Sequence, residues 1–117
     1  MRIVINGVPP SLNEFVGRNP EGYRAAKREW TALAYYKSTA AKDRPATPYQ
    51  HAEVTVTYYF RDKRRHDADN YNGKLFMDGL TKAGVIADDD FEHITTRFIG
   101  RMDKHFPRTE IEVIENE

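Results

Sequence analysis

The chain has 117 residues, enough for one ordinary domain with a real core and too few for two. Hydrophobic residues at 39% and aromatics at 12% suffice for a globular fold, while charged residues at 31% call for a heavily solvated surface. With 18 Lys and Arg against 18 Asp and Glu the balance argues against a generic polycationic nucleic-acid binder, and the absence of cysteine removes disulfides and thiolate metal sites, which suits a reducing compartment.

In chain order, RIVINGV (Arg2 to Val8) alternates as a strand should, and Pro9-Pro10 ends it because proline cannot donate to a ladder. Ser11 to Pro20 is a loop. Tyr23, Ala26, Trp30, Leu33 and Ala34 recur at helical spacing, which predicts an amphipathic helix over Glu21 to Lys42. Arg44 to Gln50, with Pro45 and Pro48, joins elements rather than domains. AEVTVTYYF (Ala52 to Phe60) is β-branched and aromatic with period two, a strand. Phe76, Leu80 and Ala83 then mark a short helix over Leu75 to Ala83, with Gly84 as its stop. HITTRFIGRM (His93 to Met102) and RTEIEVIE (Arg108 to Glu115) read as strands joined across DKHFP in an antiparallel hairpin. The order β-α-β-α-β-β predicts an α/β (α+β) fold: one small two-layer domain over residues 1–117, a mixed sheet with a C-terminal hairpin, packed by two helices. No apolar run is long enough to span a bilayer, and MRIVINGV lacks the basic and long apolar regions of a signal peptide. The expected location is the cytoplasm.

The charges are unevenly spread. Arg61, Lys63, Arg64, Arg65 and His66 form one basic run, and Arg24, Lys27, Arg28, Lys37, Lys42 and Arg44 lie in another segment. Acids gather at Asp67 and Asp69, and again at Asp88, Asp89 and Asp90. Such a distribution suits a metal-dependent enzyme acting on phosphodiesters, although a mixed solvated surface has the same composition.

The stretch HDADNYNGK (His66 to Lys74) has the look of a calcium loop but fails that frame. An EF-hand needs glycine at position 6 and glutamate at 12. Counting from Asp67 puts Asn72 and Asp78 there, and placing Gly73 at position 6 puts Ala68 first. The acids support a different site. Asp67 and Asp69 follow a strand directly, and residues i and i+2 of an extended chain point to one side, so both carboxylates would reach one cation. Asp88 to Asp90 sits just past the next helix, where a short connection would return a third carboxylate. Oxygen ligands from two segments favour Mg²⁺ or Mn²⁺ over zinc. The competing reading makes Asp69 a helix cap and the second cluster a polar turn.

The run RDKRRH, the DADN after it, Lys74 in a helix ending KLFMDGLTKAGVI, and the DDD beyond it together resemble the RusA family of Holliday-junction endodeoxyribonucleases. INGVPPSLN and the helix rich in Tyr, Lys and Trp are similar to that family's opening. The resemblance spans nearly the whole chain. It implies a homodimer that binds four-way DNA junctions and uses Mg²⁺ to cut symmetrically related phosphodiesters. By position, Asp67 and Asp69 would be catalytic metal ligands and Lys74 the catalytic cation. The third ligand would be Asp89, counting from Gly84, or Asp90, counting back from Ile94. NYNGK has one residue more than the family pattern before its lysine, which either displaces Lys74 or delays the helix until after Gly73.

Phosphodiester hydrolysis needs an activated water, an electrophile at the non-bridging oxygens and relief of charge on the leaving oxygen. A metal held by Asp67, Asp69 and Asp89 or Asp90 would supply the first two, and Lys74 would act as a point charge for the third. The bland alternative for Lys74 is an i, i+4 pair with Asp78. Arg61, Lys63, Arg64 and Arg65 would hold phosphates without reading sequence. His66 and His93 lie near the acids, but a lone histidine beside a strand is more often a surface residue. The function expected is a Mg²⁺-dependent endonuclease for branched DNA. The alternatives are a DNA-binding or assembly module of the same fold with weak or no activity, and a metal nuclease for flap or duplex DNA.

Overall fold

A computed structural model describes residues 1–116. Its elements are β1 (Arg2–Asn6), a 3-10 turn at Leu12–Glu14, α1 (Pro20–Ala40), β2 (Ala52–Phe60), a 3-10 turn at Ala68–Asn70, α2 (Met77–Lys82), β3 (Ile94–Met102) and β4 (Arg108–Glu115). The order of strands and helices is the one expected. β1 stops two residues early because Gly7, at φ +82°, turns the chain and donates its N–H to Pro107 across the sheet end. α1 begins at Pro20, whose missing N–H costs nothing in a first turn, and Asn19 caps it by accepting from the Gly22 N–H at 2.9 Å. Gly84, at φ +76°, ends α2 as predicted.

The sheet order is β1-β4-β2-β3, with β1 and β2 antiparallel to β4 and β3 parallel to β2. The expected C-terminal hairpin is therefore absent. β3 and β4 do run in opposite directions, but β2 lies between them. The physical reason is visible in β2, whose Val54, Val56 and Tyr58 are buried and whose backbone bonds to partners on both sides, as befits the central strand. DKHFP instead spans from the edge strand to the far side of β2.

Both helices cover one face of the sheet. Ile3, Ile5, Val54, Val56, Ile111 and Val113 meet Trp30, Ala34, Phe76 and Leu80 in one core cluster. α1 and α2 touch so closely that a Cβ on Gly79 would lie 2.5 Å from the Thr31 carbonyl oxygen and 2.8 Å from the Ala34 Cβ. The other face of the sheet carries charge. Arg2 reaches Glu110 at 2.5 Å, and Arg108 binds Glu110 at 2.6 Å and Asp103 at 2.7 Å while lying 3.7 Å over the Tyr59 ring.

The parallel pairing of β2 and β3 makes the connection between them a crossover, and that crossover, residues 61–93, carries every acid and the lysine singled out above.

Candidate active site

The crossover leaves β2 at Phe60, beside Met102 at one end of the sheet, and re-enters at Ile94, beside Ala52 at the other. RDKRRH occupies the first end. Arg61 and Lys63 line a shallow groove with Asp62, Met102 and Lys104. His66 is no free surface residue. Its ring stacks 3.8 Å from Phe60 and stands perpendicular to Tyr71, while Nε2 lies 3.6 Å from Asp62. The Arg64 backbone N–H, then the Arg64 and His66 side chains, hold the Asp62 carboxyl below its ordinary range.

This stacking fixes where the next residues begin. Asp67 has extended backbone, but Ala68–Asn70 forms a 3-10 turn, so Asp67 and Asp69 do not share one side of an extended segment as expected. The turn competes successfully with extension because Asn70 N–H bonds Asp67 O at 3.0 Å and Tyr71 N–H bonds Ala68 O at 3.1 Å. The Asp67 carboxylate pairs with Arg65 at 2.9 Å. Asp69 is exposed, and neither helical segment near it has a side-chain cap. The helix-cap reading of Asp69 is thus not what the chain does.

Gly73 supplies the sharp turn in NYNGK. It is buried at φ +78°, and a Cβ there would press within 3.1 Å of both Met77 and Phe98. Asn72 accepts the Lys74 N–H at 3.2 Å, and the Gly73 carbonyl accepts from Phe76 and Met77. Helical bonding therefore starts after Gly73, and the extra residue is absorbed in the turn. Lys74 precedes α2 rather than lying within it, a correction to its expected place, and its side chain is exposed. It forms no pair with Asp78, which binds Lys27 at 3.5 Å.

At the other end, the three aspartates divide their work. Asp88 accepts the Asp89 N–H at 2.8 Å. Asp90 accepts the His93 N–H at 3.1 Å and pairs with His93 Nδ1 at 2.5 Å; that side-chain bond holds the Asp90 carboxyl low and raises the imidazole. Asp88 and Asp90 thus do form a polar turn. Asp89 is different. Although the residue is exposed, desolvation first, then the charge of Asp78 and the bond and charge of Asp88, push its carboxyl up.

The two acidic segments lie against different stretches of β3. Ala68 packs near Phe98, Ile99 and Gly100, whereas the aspartate cluster precedes Ile94. Four steps of strand, from Ile94 to Phe98, amount to roughly 13 Å. Among the described residues no three His, Cys, Asp or Glu side chains converge as a metal cage. The oxygen chemistry of Asp67, Asp69, Asp89 and Asp90 suits Mg²⁺, and they form no closed cage within the single chain.

A family model described as endodeoxyribonuclease RusA matches residues 8–114, which takes in the basic run, the DADN turn, Lys74 and the aspartate cluster. The chain belongs to the RusA family. Membership implies a Holliday-junction-resolving endodeoxyribonuclease that binds branched DNA. No curated protein matches the chain. Among the described residues no helix is long and apolar enough to cross a membrane. Sequence reasoning missed two features of this RusA domain. One is the anchoring of His66 on Phe60. The other is a cationic groove between α1 and α2, legible only as Arg24, Arg28 and Thr31 at i, i+4 and i+7 on one face of α1.

Proposed function

We propose that this RusA-family chain is a Mg²⁺-dependent endodeoxyribonuclease that resolves four-way DNA junctions, acting as a homodimer that places one nick per protomer. The family match over residues 8–114 carries the reading. A junction has two-fold symmetry, and two paired nicks require two chains. Arg61, Lys63, Arg64 and Arg65 hold backbone phosphates at the exit of β2 and set the register of the DNA. Lys74, exposed on a turn pinned by Asn72 and Gly73, presents an ammonium to charge that develops on the phosphate or the leaving oxygen. Asp67, Asp69 and Asp89 are the proposed metal ligands on their oxygen chemistry, to be drawn together by the ion they would share, with Mn²⁺ as a substitute ion. Asp89 is preferred to Asp90 because Asp90 is already committed to His93.

A synthetic four-way junction and a matched duplex, incubated with the purified protein in Mg²⁺ and in chelator, test the reading. Symmetric nicks in the junction with Mg²⁺ only, together with a dimer in sedimentation, are expected. Monomer alone at micromolar concentration, with and without junction, would remove the paired-nick reading.

The engagement of Asp67 by Arg65 and of Asp90 by His93 favours one second reading, a junction-binding module without cleavage. Tight binding with no product in either Mg²⁺ or Mn²⁺ would select it.

A further inference from the structure

We infer that the groove between α1 and α2 is a second track for a DNA phosphate backbone, separate from the basic run and sharing Thr31 with the support of the turn that carries Lys74. The inference rests on the DNA-binding reading above. The groove encloses about 530 Å³ and is walled by Arg24, Lys27 and Arg28 of α1 and Lys82 of α2, with Tyr35 and Tyr36 at one end. Asp78 is the single acid on its lining. Arg24 is paired with Glu21 and Lys27 with Asp78, whereas Arg28 and Lys82 are exposed and in no ion pair among the described residues.

Arg24 and Arg28 at i, i+4 repel each other, and the pair with Glu21 offsets only the Arg24 share. A ligand bearing regularly spaced negative charge relieves that repulsion. Tyr35 and Tyr36, 37% and 68% exposed, meet edge to face at 5.3 Å, and tyrosine hydroxyls are common phosphate and sugar contacts. The groove is also joined to the site. Thr31, on its lining, donates through Oγ1 to the carbonyl of Leu75, the residue after Lys74, at 3.0 Å.

A second copy of this chain is the weaker occupant. A two-fold interface on this face sets the same cations against themselves. A branched DNA, by contrast, offers more than one duplex arm, and the protein has cations on two separate surfaces to receive them.

The test is the double variant Arg28→Ala/Lys82→Ala, compared with wild type and with Arg28→Lys/Lys82→Arg. Junction affinity is measured by fluorescence anisotropy across a salt series, with sedimentation and thermal melting alongside. The alanine variant is expected to bind about tenfold or more weakly, with the log K against log salt slope reduced by about two, one phosphate per lost cation. The charge-retaining variant is expected to keep the wild-type slope. Wild-type affinity and slope in the alanine variant would overturn the track while leaving the junction-binding reading intact. Conversion of a wild-type dimer to monomer by the same variant would overturn it in favour of a protein interface. A wild-type chain that binds no DNA would remove both.

Discussion

Thr31 Oγ1 donates a 3.0 Å hydrogen bond to the carbonyl of Leu75, so α1 holds the turn on which Lys74 is mounted. Replacing Thr31 with Val keeps the shape and removes the bond, at a cost of about 1 kcal/mol in unfolding free energy. In the proposed enzyme the single-turnover cleavage rate should fall further than junction affinity, because the residue positions Lys74 through the backbone. Equal losses in rate and affinity would contradict a positioning role.

Asp69→Asn keeps the size of a side chain that caps no helix, so unfolding free energy should change by less than about 0.5 kcal/mol. Cleavage in Mg²⁺ should drop by orders of magnitude. Junction binding in chelator should persist or tighten, since a negative charge facing phosphate is gone. Near-normal cleavage by the purified variant would remove Asp69 from the metal site.

Arg64→Ala/Arg65→Ala should weaken junction binding and flatten its salt dependence, because fewer counterions are released. Saturating protein should recover much of the cleavage rate. If anisotropy shows wild-type affinity while cleavage is lost, the arginines serve chemistry instead; Arg65 in particular holds Asp67.

Gly79→Ala places a Cβ 2.5 Å from a backbone oxygen of α1. Backbone cannot yield as a flexible side chain can, so α2 must move away. A loss of about 2–3 kcal/mol is expected from the urea midpoint. An unchanged midpoint would show that the helix contact is looser than described.

The Arg108 network gives the fold its acid sensitivity. A hydrogen bond from Arg108 and the Phe106 N–H hold the Asp103 carboxyl below its ordinary value of 3.8. Burial would raise Glu110, but bonds from Arg108 and Arg2 outweigh it and hold that carboxyl below 4.5. A carboxyl whose value is lowered by folding contributes stability above its unfolded value and loses it as pH falls through the folded one. The melting temperature should thus decline below about pH 4.5. In Arg108→Met it should be lower at pH 7 and decline less steeply in acid. Parallel melting curves for the two proteins across that range would refute the assignment.

Much of this was legible in the sequence, and the failures have physical causes. Tyr23, Ala26, Trp30 and Ala34 located α1 because a helix that buries one face must repeat its apolar residues, and Ala52 to Phe60 matched β2 end to end. Period-two alternation says which residues face the core and nothing about which strand lies alongside. The mistaken hairpin followed, because adjacency in sequence stood in for adjacency in space. Asp67 and Asp69 were found by type and spacing, but their local backbone was not, since period and residue type do not reveal that Asn70 and Tyr71 bond back to Asp67 and Ala68. The roles of Asp88, Asp89 and Asp90 separated only once His93 and Asp78 were in place. Lys82 and Arg28, far apart in the chain, share a groove because Gly79 lets α2 approach α1.

The parallel register of β2 and β3 has a kinetic consequence. These strands become neighbours only after residues 61–93 have closed a long excursion between Phe60 and Ile94, and that loop-closure entropy is spent before the pairing returns anything. The antiparallel pairs close still longer excursions, β2 to β4 between Tyr59 and Arg108 and β1 to β4 between Asn6 and Arg108. No strand pair of this sheet is local, and the crossover supplies Phe76, Leu80, Val85 and Ile86 to the core, so the DADN turn, Lys74 and the aspartates are fixed in the same cooperative step as the sheet. Refolding should accordingly be slow for a domain of this size, with no local strand pair to nucleate it.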